Sequence, residues 1–258
     1  MRKLLAYIIA TVALCACQST TYKVEGTIEG AQEGDTVFLG YSNDGQDFKT
    51  TAKTTIKDGK FVFGGDLEGC KIYYIGYEEG EEPIYAMFFL EPGNIDAEIT
   101  YTGSHITGTP TNDLNIKLEE DLEKFVVEML QYQDTLYRDS TLTDEKKAEL
   151  SNNCYTVQRK AMTYIQKIIR ENMDNMIGMF MLVQYSDLFD NNELSSLIAA
   201  VPSTLIDRDN NYLYDILLQI QEERNNPGTL DEIINAIEEE EGNDFELDGN
   251  EQESNIVE

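Results

Sequence analysis

The hydrophobic rhythm of the chain changes once, just after Gly108. Before that point apolar side chains recur at every second position, and after it at every third or fourth. Tyr22-Lys23-Val24-Glu25-Gly26-Thr27-Ile28 alternates polar and apolar positions, the period of a strand with one face in a core. Thr36-Val37-Phe38-Leu39-Gly40-Tyr41 predicts a second strand, and Asn43-Asp44-Gly45 a turn after it. Residues 49–56 are rich in Thr and carry little apolar weight, which predicts an edge strand. Asp58-Gly59 predicts a tight type I′ hairpin, because both central residues of that turn need positive φ. The returning segment, Lys60-Phe61-Val62-Phe63, puts Phe61 and Phe63 on one face. The denser apolar runs 71–77 and 84–90 predict central strands, and Pro92-Gly93 the next turn. Segments 95–101 and 105–107 complete a set of seven or eight short strands. Strands of this length with regular turns predict an antiparallel β-sandwich or open barrel.

Beyond Gly108 the spacing becomes helical: Leu114, Leu118, Leu122, Phe125, Val126 and Met129 line one predicted face. A second helix is predicted over about 143–169, burying Leu150, Val157, Ala161, Tyr164, Ile165 and Ile168. A third covers 176–185, and shorter ones 193–200 and 212–222. Thr229-Leu230-Asp231-Glu232 reads as a capping box that opens a last helix ending near Glu241. The fold class is therefore α+β, a β-domain over 22–109 followed by a helical bundle over 110–241.

The first 16 residues fit neither domain. Arg2 and Lys3 precede a largely apolar run of 13 residues, too short for the ~20 that a membrane span needs, so it predicts a cleaved export signal. The run ends Leu14-Cys15-Ala16-Cys17, a pattern that resembles the bacterial lipobox. That resemblance implies diacylation of Cys17 and a short lipidated linker, 17–21, tying the protein to a membrane. By analogy with the sorting of bacterial lipoproteins, Gln18 in place of Asp implies the outer membrane, and the lack of an acidic run after it the periplasmic face.

Charge narrows the partners. The net charge of −30 becomes −32 once Arg2 and Lys3 are removed, which argues against nucleic acid and against electrostatic binding to anionic lipid. Residues 231–258 hold 12 acidic side chains and no Lys or Arg, and the stretch 242–258 is expected to be a disordered acidic tail. Two cysteines remain after Cys17. Cys70 and Cys154 lie 84 positions apart in different predicted segments, so a disulfide and two separate thiols both stay open, with two buried thiols the expectation.

Several fragments of the β-domain share an order and spacing: Gly26-Thr27-Ile28 with Gly34-Asp35-Thr36-Val37-Phe38-Leu39, Asp58-Gly59-Lys60-Phe61-Val62-Phe63, Leu90-Glu91-Pro92-Gly93-Asn94-Ile95, and Ile106-Thr107-Gly108-Thr109 with Asn112. Together they resemble an N-terminal domain of unknown function found in bacterial lipoproteins that carry a C-terminal thioredoxin-like, thiol:disulfide oxidoreductase domain. Glu171-Asn172-Met173-Asp174-Asn175-Met176-Ile177-Gly178 is similar to the inter-domain helices of those proteins, and Asp244-Phe245-Glu246-Leu247-Asp248-Gly249-Asn250 to the start of their thioredoxin-like domain. The family's redox cysteines have no counterpart here, so the resemblance implies a stand-alone or shortened member that keeps the accessory part.

No catalytic constellation emerges. His105 is the only histidine, and Ser104 beside it would point to the opposite face of a strand. A zinc site is not expected from one histidine and scattered cysteines. Asp244-x-Glu246-x-Asp248-Gly249 and Asp207-x-Asp209-x-Asn211 begin like calcium loops, but the first has Asn255 at position twelve and the second Tyr212 in place of the turn glycine. The reading is a non-catalytic lipoprotein of the periplasm that needs no cofactor or metal and binds a protein partner, with an exposed apolar or Tyr-rich groove as the place to look. The alternative is a component of thiol–disulfide or peroxide defence using Cys70 or Cys154.

Overall fold

The computed structural model describes residues 20–42, 48–67, 70–79, 83–206 and 212–226. Eight strands precede the helices: β1 (Thr21–Ile28), β2 (Thr36–Ser42), β3 (Phe48–Thr55), β4 (Phe61–Asp66), β5 (Lys71–Tyr77), β6 (Ile84–Leu90), β7 (Gly93–Thr100) and β8 (Gly103–Thr107). They form two four-stranded sheets, β4-β1-β7-β8 and β3-β2-β5-β6. The inward faces share one core, in which Val24, Val37, Leu39, Phe61, Ile75, Phe88, Ile95 and Ile99 are buried. Alternation builds it: in β7, Ile95, Ala97 and Ile99 point inward while Asp96 and Glu98 meet water. Each fully buried Ile, Leu or Phe contributes about 1.5–3 kcal/mol.

The class is α+β, as the sequence predicts. Three details depart from the sequence reading. β1 runs parallel to β7, Tyr22 opposite Gly93 and Ile28 opposite Ile99, so one pairing of an otherwise antiparallel fold is parallel. Parallel neighbours need a long crossover, and here it comprises the whole second sheet together with β4. The Asp58-Gly59 turn has positive φ at both residues, +52° and +76°, as type I′ requires. Yet β3 and β4 lie in different sheets, and the hairpin turns a corner at the Lys57–Lys60 bridge. Finally, β6 is an edge strand, not a central one. Its apolar content reflects burial by other means. Asn112 is 2% exposed; its side chain accepts from the Phe89 N–H at 3.0 Å and donates to the Phe89 carbonyl at 2.6 Å. One amide thus offers the strand edge what a neighbouring strand would.

The helices are α1 (Pro110–Arg138), α2 (Asp144–Glu171), α3 (Met176–Gln184), α4 (Asn191–Ala199), α5 (Ser203–Ile206) and α6 (Tyr212–Asn225). α1 starts at Pro110, earlier than the apolar spacing from Leu114 suggests, because proline fits the first turn of a helix. Contacts divide the chain into two compact units at Lys124/Phe125, inside α1 rather than at the strand-to-helix boundary. Of the predicted α1 stripe only Leu118 is fully buried, and Val126 is 47% exposed. Within the second unit α3 packs against α2 and α6, and α4 against α6. α3 buries Met176, Ile177, Met179, Met181 and Leu182 all round, as a central helix does. The segment 171–178 is a tight corner: the Asn172 N–H closes α2 on the Ile169 carbonyl, and the Asn175 side chain caps α3 through the Gly178 N–H. Arg170 and Glu193, 2.6 Å apart, join α2 to α4. No helix among the described residues is long and apolar enough to cross a membrane.

Candidate functional site

Among the described residues, the side chains singled out in the sequence do not converge. Cys70 and Cys154 are not joined in a disulfide, and both are half-buried rather than fully buried. Cys70 Sγ donates to Thr111 Oγ1 at 3.9 Å, and Cys154 Sγ to the Met129 carbonyl at 3.8 Å. They belong to different compact units. His105 is exposed on β8 opposite Glu98, with Ser104 on the other face. No group of three or more His, Cys, Asp or Glu side chains able to hold a metal ion occurs among the described residues. Cys17, the segments 1–16, 207–211 and 229–241, the turn at Asn43-Asp44-Gly45 and the acidic stretch 242–258 lie outside the described residues.

The tyrosines do gather, on the sheet of β2, β3, β5 and β6. Phe48 meets Tyr74 and Tyr85 with ring centroids 6.4 and 5.6 Å apart, and Tyr41 meets Tyr73 at 5.6 Å. Burial raises the pKa of Tyr73 and Tyr74 above the usual phenol value. Lys53 covers Phe38 at 4.8 Å and Lys49 covers Tyr41 at 5.9 Å. Phe48, Tyr74 and Tyr85 share the outer face of the sheet, whereas Tyr73, with Tyr41 against it, packs towards the core, so the rings divide between the two faces.

A concave site does occur in the helical unit, on α2. A cleft of about 590 Å³ is lined by Phe125 of α1 and by Thr156, Arg159, Lys160, Thr163, Tyr164 and Lys167. The α2 positions advance by three, one, three, one and three residues, which keeps them on one helix face. Its apolar floor is the Phe125–Tyr164 pair, with ring centroids 5.9 Å apart and planes tilted by 53°. Among the described residues, three cations and no carboxylate line it. Thr156 and Thr163 donate their hydroxyl hydrogens to the helix carbonyls of Asn152 and Arg159. Lys167 reaches Glu171 only at 3.9 Å, and Arg159 stacks 6.0 Å from the Tyr155 ring. Neither Arg159 nor Lys160 has a carboxylate within 4.0 Å among the described residues. Such a surface can hold an anion.

The sequence pattern places Tyr164 on the buried face of α2 and does not point to this cleft. A signal is nonetheless present. α2 carries six Lys and Arg against four Asp and Glu, in a chain of net charge −30. The local sign of charge, not the total, marks the helix.

Residues 22–115 match the family described as a domain of unknown function, DUF4369. The match runs from β1 through all eight strands into the first turns of α1. Comparison with curated proteins returns no match.

Proposed function

We propose that the protein is a non-catalytic, lipid-anchored binding module of the bacterial cell envelope, facing the periplasm, whose cleft on α2 receives an acidic segment of a partner protein. The observation that carries this is the set of Arg159, Lys160 and Lys167 around a cleft that no carboxylate lines among the described residues, in a chain of net charge −30. An isolated basic patch in so acidic a protein selects for opposite charge by contrast with everything around it. Arg159 and Lys167 are eight residues apart, roughly 12 Å along a helix. That spread suits carboxylates strung along a peptide better than a single small anion. The Phe125–Tyr164 floor adds apolar contact that a bare anion would leave unused.

The anchor reading rests on the signal-like residues 1–16 and the Cys17 that follows. Labelling with a palmitate analogue tests it, and a Cys17→Ala protein that still carried label would overturn it. The cleft is tested by fluorescence anisotropy with a dye-labelled hexaglutamate peptide. Binding is expected for the wild type, lost in Arg159→Gln/Lys160→Gln and lost in 1 M salt, where the screening length is about 3 Å. Equal affinity in the double variant would refute the assignment. A place beside a thioredoxin-like partner is the second reading, supported by the family resemblance and by Cys70 and Cys154, both of them half-buried rather than fully buried. Alkylation of the native protein decides it: two thiols that react only on unfolding would end it.

A further inference from the structure

We infer that the acidic segment 244–248 of this same chain docks in the α2 cleft and competes there with the partner; the inference rests on the cleft binding acidic peptides, as proposed above. Asp244-Phe245-Glu246-Leu247-Asp248 alternates carboxylates with large apolar groups. In an extended backbone that alternation sends three carboxylates to one side and Phe245 and Leu247 to the other. The cleft offers the matching pair of chemistries: its cations all come from α2, while the Phe125 ring is contributed by α1 and packs on Tyr164. Lengths agree as well. Five extended residues span about 13 Å between the first and last Cα, against roughly 12 Å from Arg159 to Lys167 on a helix. The run of Glu238 to Glu241 carries charge without interleaved apolar groups and would leave the ring floor uncovered.

The connection permits it. Asn226, just past the end of α6, and the cleft belong to the same compact unit. With the helix expected over 229–241 rising about 1.5 Å per residue and the rest extended, the residues from Asn226 to Asp244 still reach roughly 40 Å. A tethered segment acts at an effective concentration of about a millimolar, so even a weak cis contact occupies the site for much of the time. The partner then has to displace it, which makes the segment a built-in competitor that sets a threshold for recognition.

The test uses the full chain and the labelled hexaglutamate probe. Phe245→Ser/Leu247→Ser removes the apolar half of the segment and leaves every charge in place. It is expected to raise probe affinity at least twofold, and Asp244→Asn/Glu246→Gln/Asp248→Asn to raise it further. Wild-type affinity in the Phe245→Ser/Leu247→Ser protein would overturn the inference while leaving the cleft's reading intact, since the charge variant alone reports only long-range repulsion. No probe binding to any of the proteins would remove the cleft's reading and this inference with it. Probe affinity that changes with protein concentration would assign the segment to a second copy and overturn the cis contact.

Discussion

Asn112 holds the exposed margin of a sheet closed, and its replacement should measure how much that closure is worth. Its side chain makes three hydrogen bonds: from the Phe89 N–H at 3.0 Å, to the Phe89 carbonyl at 2.6 Å and to Thr109 Oγ1 at 2.8 Å. Phe89 is 0% exposed, so water does not replace what is lost at the backbone. A net hydrogen bond contributes about 1 kcal/mol, and a buried backbone group that loses its partner costs about 1–3 kcal/mol. Asn112→Ala should therefore destabilise the sandwich by about 3 kcal/mol, read as a lower urea midpoint at unchanged slope for the strand signal in circular dichroism. Hydrogen exchange at the Phe89 amide should accelerate in step. Asn112→Asp sharpens the reasoning. The introduced carboxyl, when ionised, still accepts from the Phe89 N–H but turns an acceptor towards the Phe89 carbonyl; when protonated, it can donate there. Its folded pKa should lie above the unfolded value, so the folded state binds more protons and stability falls as pH rises through the carboxyl range. Asn112→Asp should thus recover stability relative to wild type between pH 7 and pH 4. A midpoint for Asn112→Ala within about 0.5 kcal/mol of wild type, the size of an ordinary surface change, would refute the edge-closing role. So would a pH-independent difference for Asn112→Asp.

Other perturbations follow from backbone geometry and titration. Gly59 has φ +76° with open space where a Cβ would go, so Gly59→Ala should cost only the left-handed backbone penalty, about 1 kcal/mol, in a urea titration. At Gly178 a Cβ would stand 1.9 Å from the Asn172 carbonyl oxygen, and backbone cannot rotate away. Gly178→Ala should then cost about 2–3 kcal/mol and blunt the helical signal first; a neutral result would mean the corner at 171–178 is loose. Tyr77 is 1% exposed, and burial first, then its bond to Asp35, pushes the phenol up to about 12. A folded pKa above the unfolded one gives stability that is whole below about pH 10 and lost as pH rises towards 12. Tyr77→Phe should remove that alkaline loss. Asp35, held low by the Gln32 amide and then by Tyr77, has the opposite sign, and Asp35→Asn should remove part of the loss seen on acidification below about pH 4.

The strands are legible in the sequence because each has one wet face. β1 and β7 display their burial directly as alternation, and the Asp58-Gly59 turn names its own backbone angles. Period alone does not say which strands sit at the margins. β6 reads as central because Ala86, Phe88, Phe89 and Leu90 are buried, and only the distant Asn112 explains how an edge can be so apolar. Nor does local pattern reveal the parallel pairing of β1 with β7, which depends on where the chain returns after a whole sheet. In the helical half the same rule explains the misreading of α1. Leu118, Leu122 and Val126 repeat at four-residue spacing, yet only Leu118 is fully buried and Val126 is 47% exposed, since spacing defines a stripe without guaranteeing something to cover it. The cleft escapes the sequence for a related reason. Lys, Arg and Thr at i, i+3 and i+4 look like the solvated side of an amphipathic helix, and only the Phe125 ring brought beside Tyr164 makes that side concave.

The contrast between the cleft and the rest of the molecule fixes how binding must respond to salt. A chain of net charge −30 repels an acidic peptide from every direction when fields are long-ranged. At 0.01 M ionic strength the screening length is about 30 Å, so a peptide approaching α2 feels most of that repulsion together with the three cleft cations. Near 0.15 M the length falls to about 8 Å, and distant carboxylates are screened while Arg159, Lys160 and Lys167 still act at contact. By 1 M even contact pairs at the surface are weakened. Hexaglutamate affinity should therefore rise from 10 mM salt to a maximum near physiological strength and then decline. Arg159→Gln/Lys160→Gln should abolish the maximum, with no binding recovered at any salt concentration. A wild-type affinity that falls steadily from 10 mM would mean the cleft cations dominate at every range, and the long-range repulsion from the acidic remainder of the chain would carry no weight at the site.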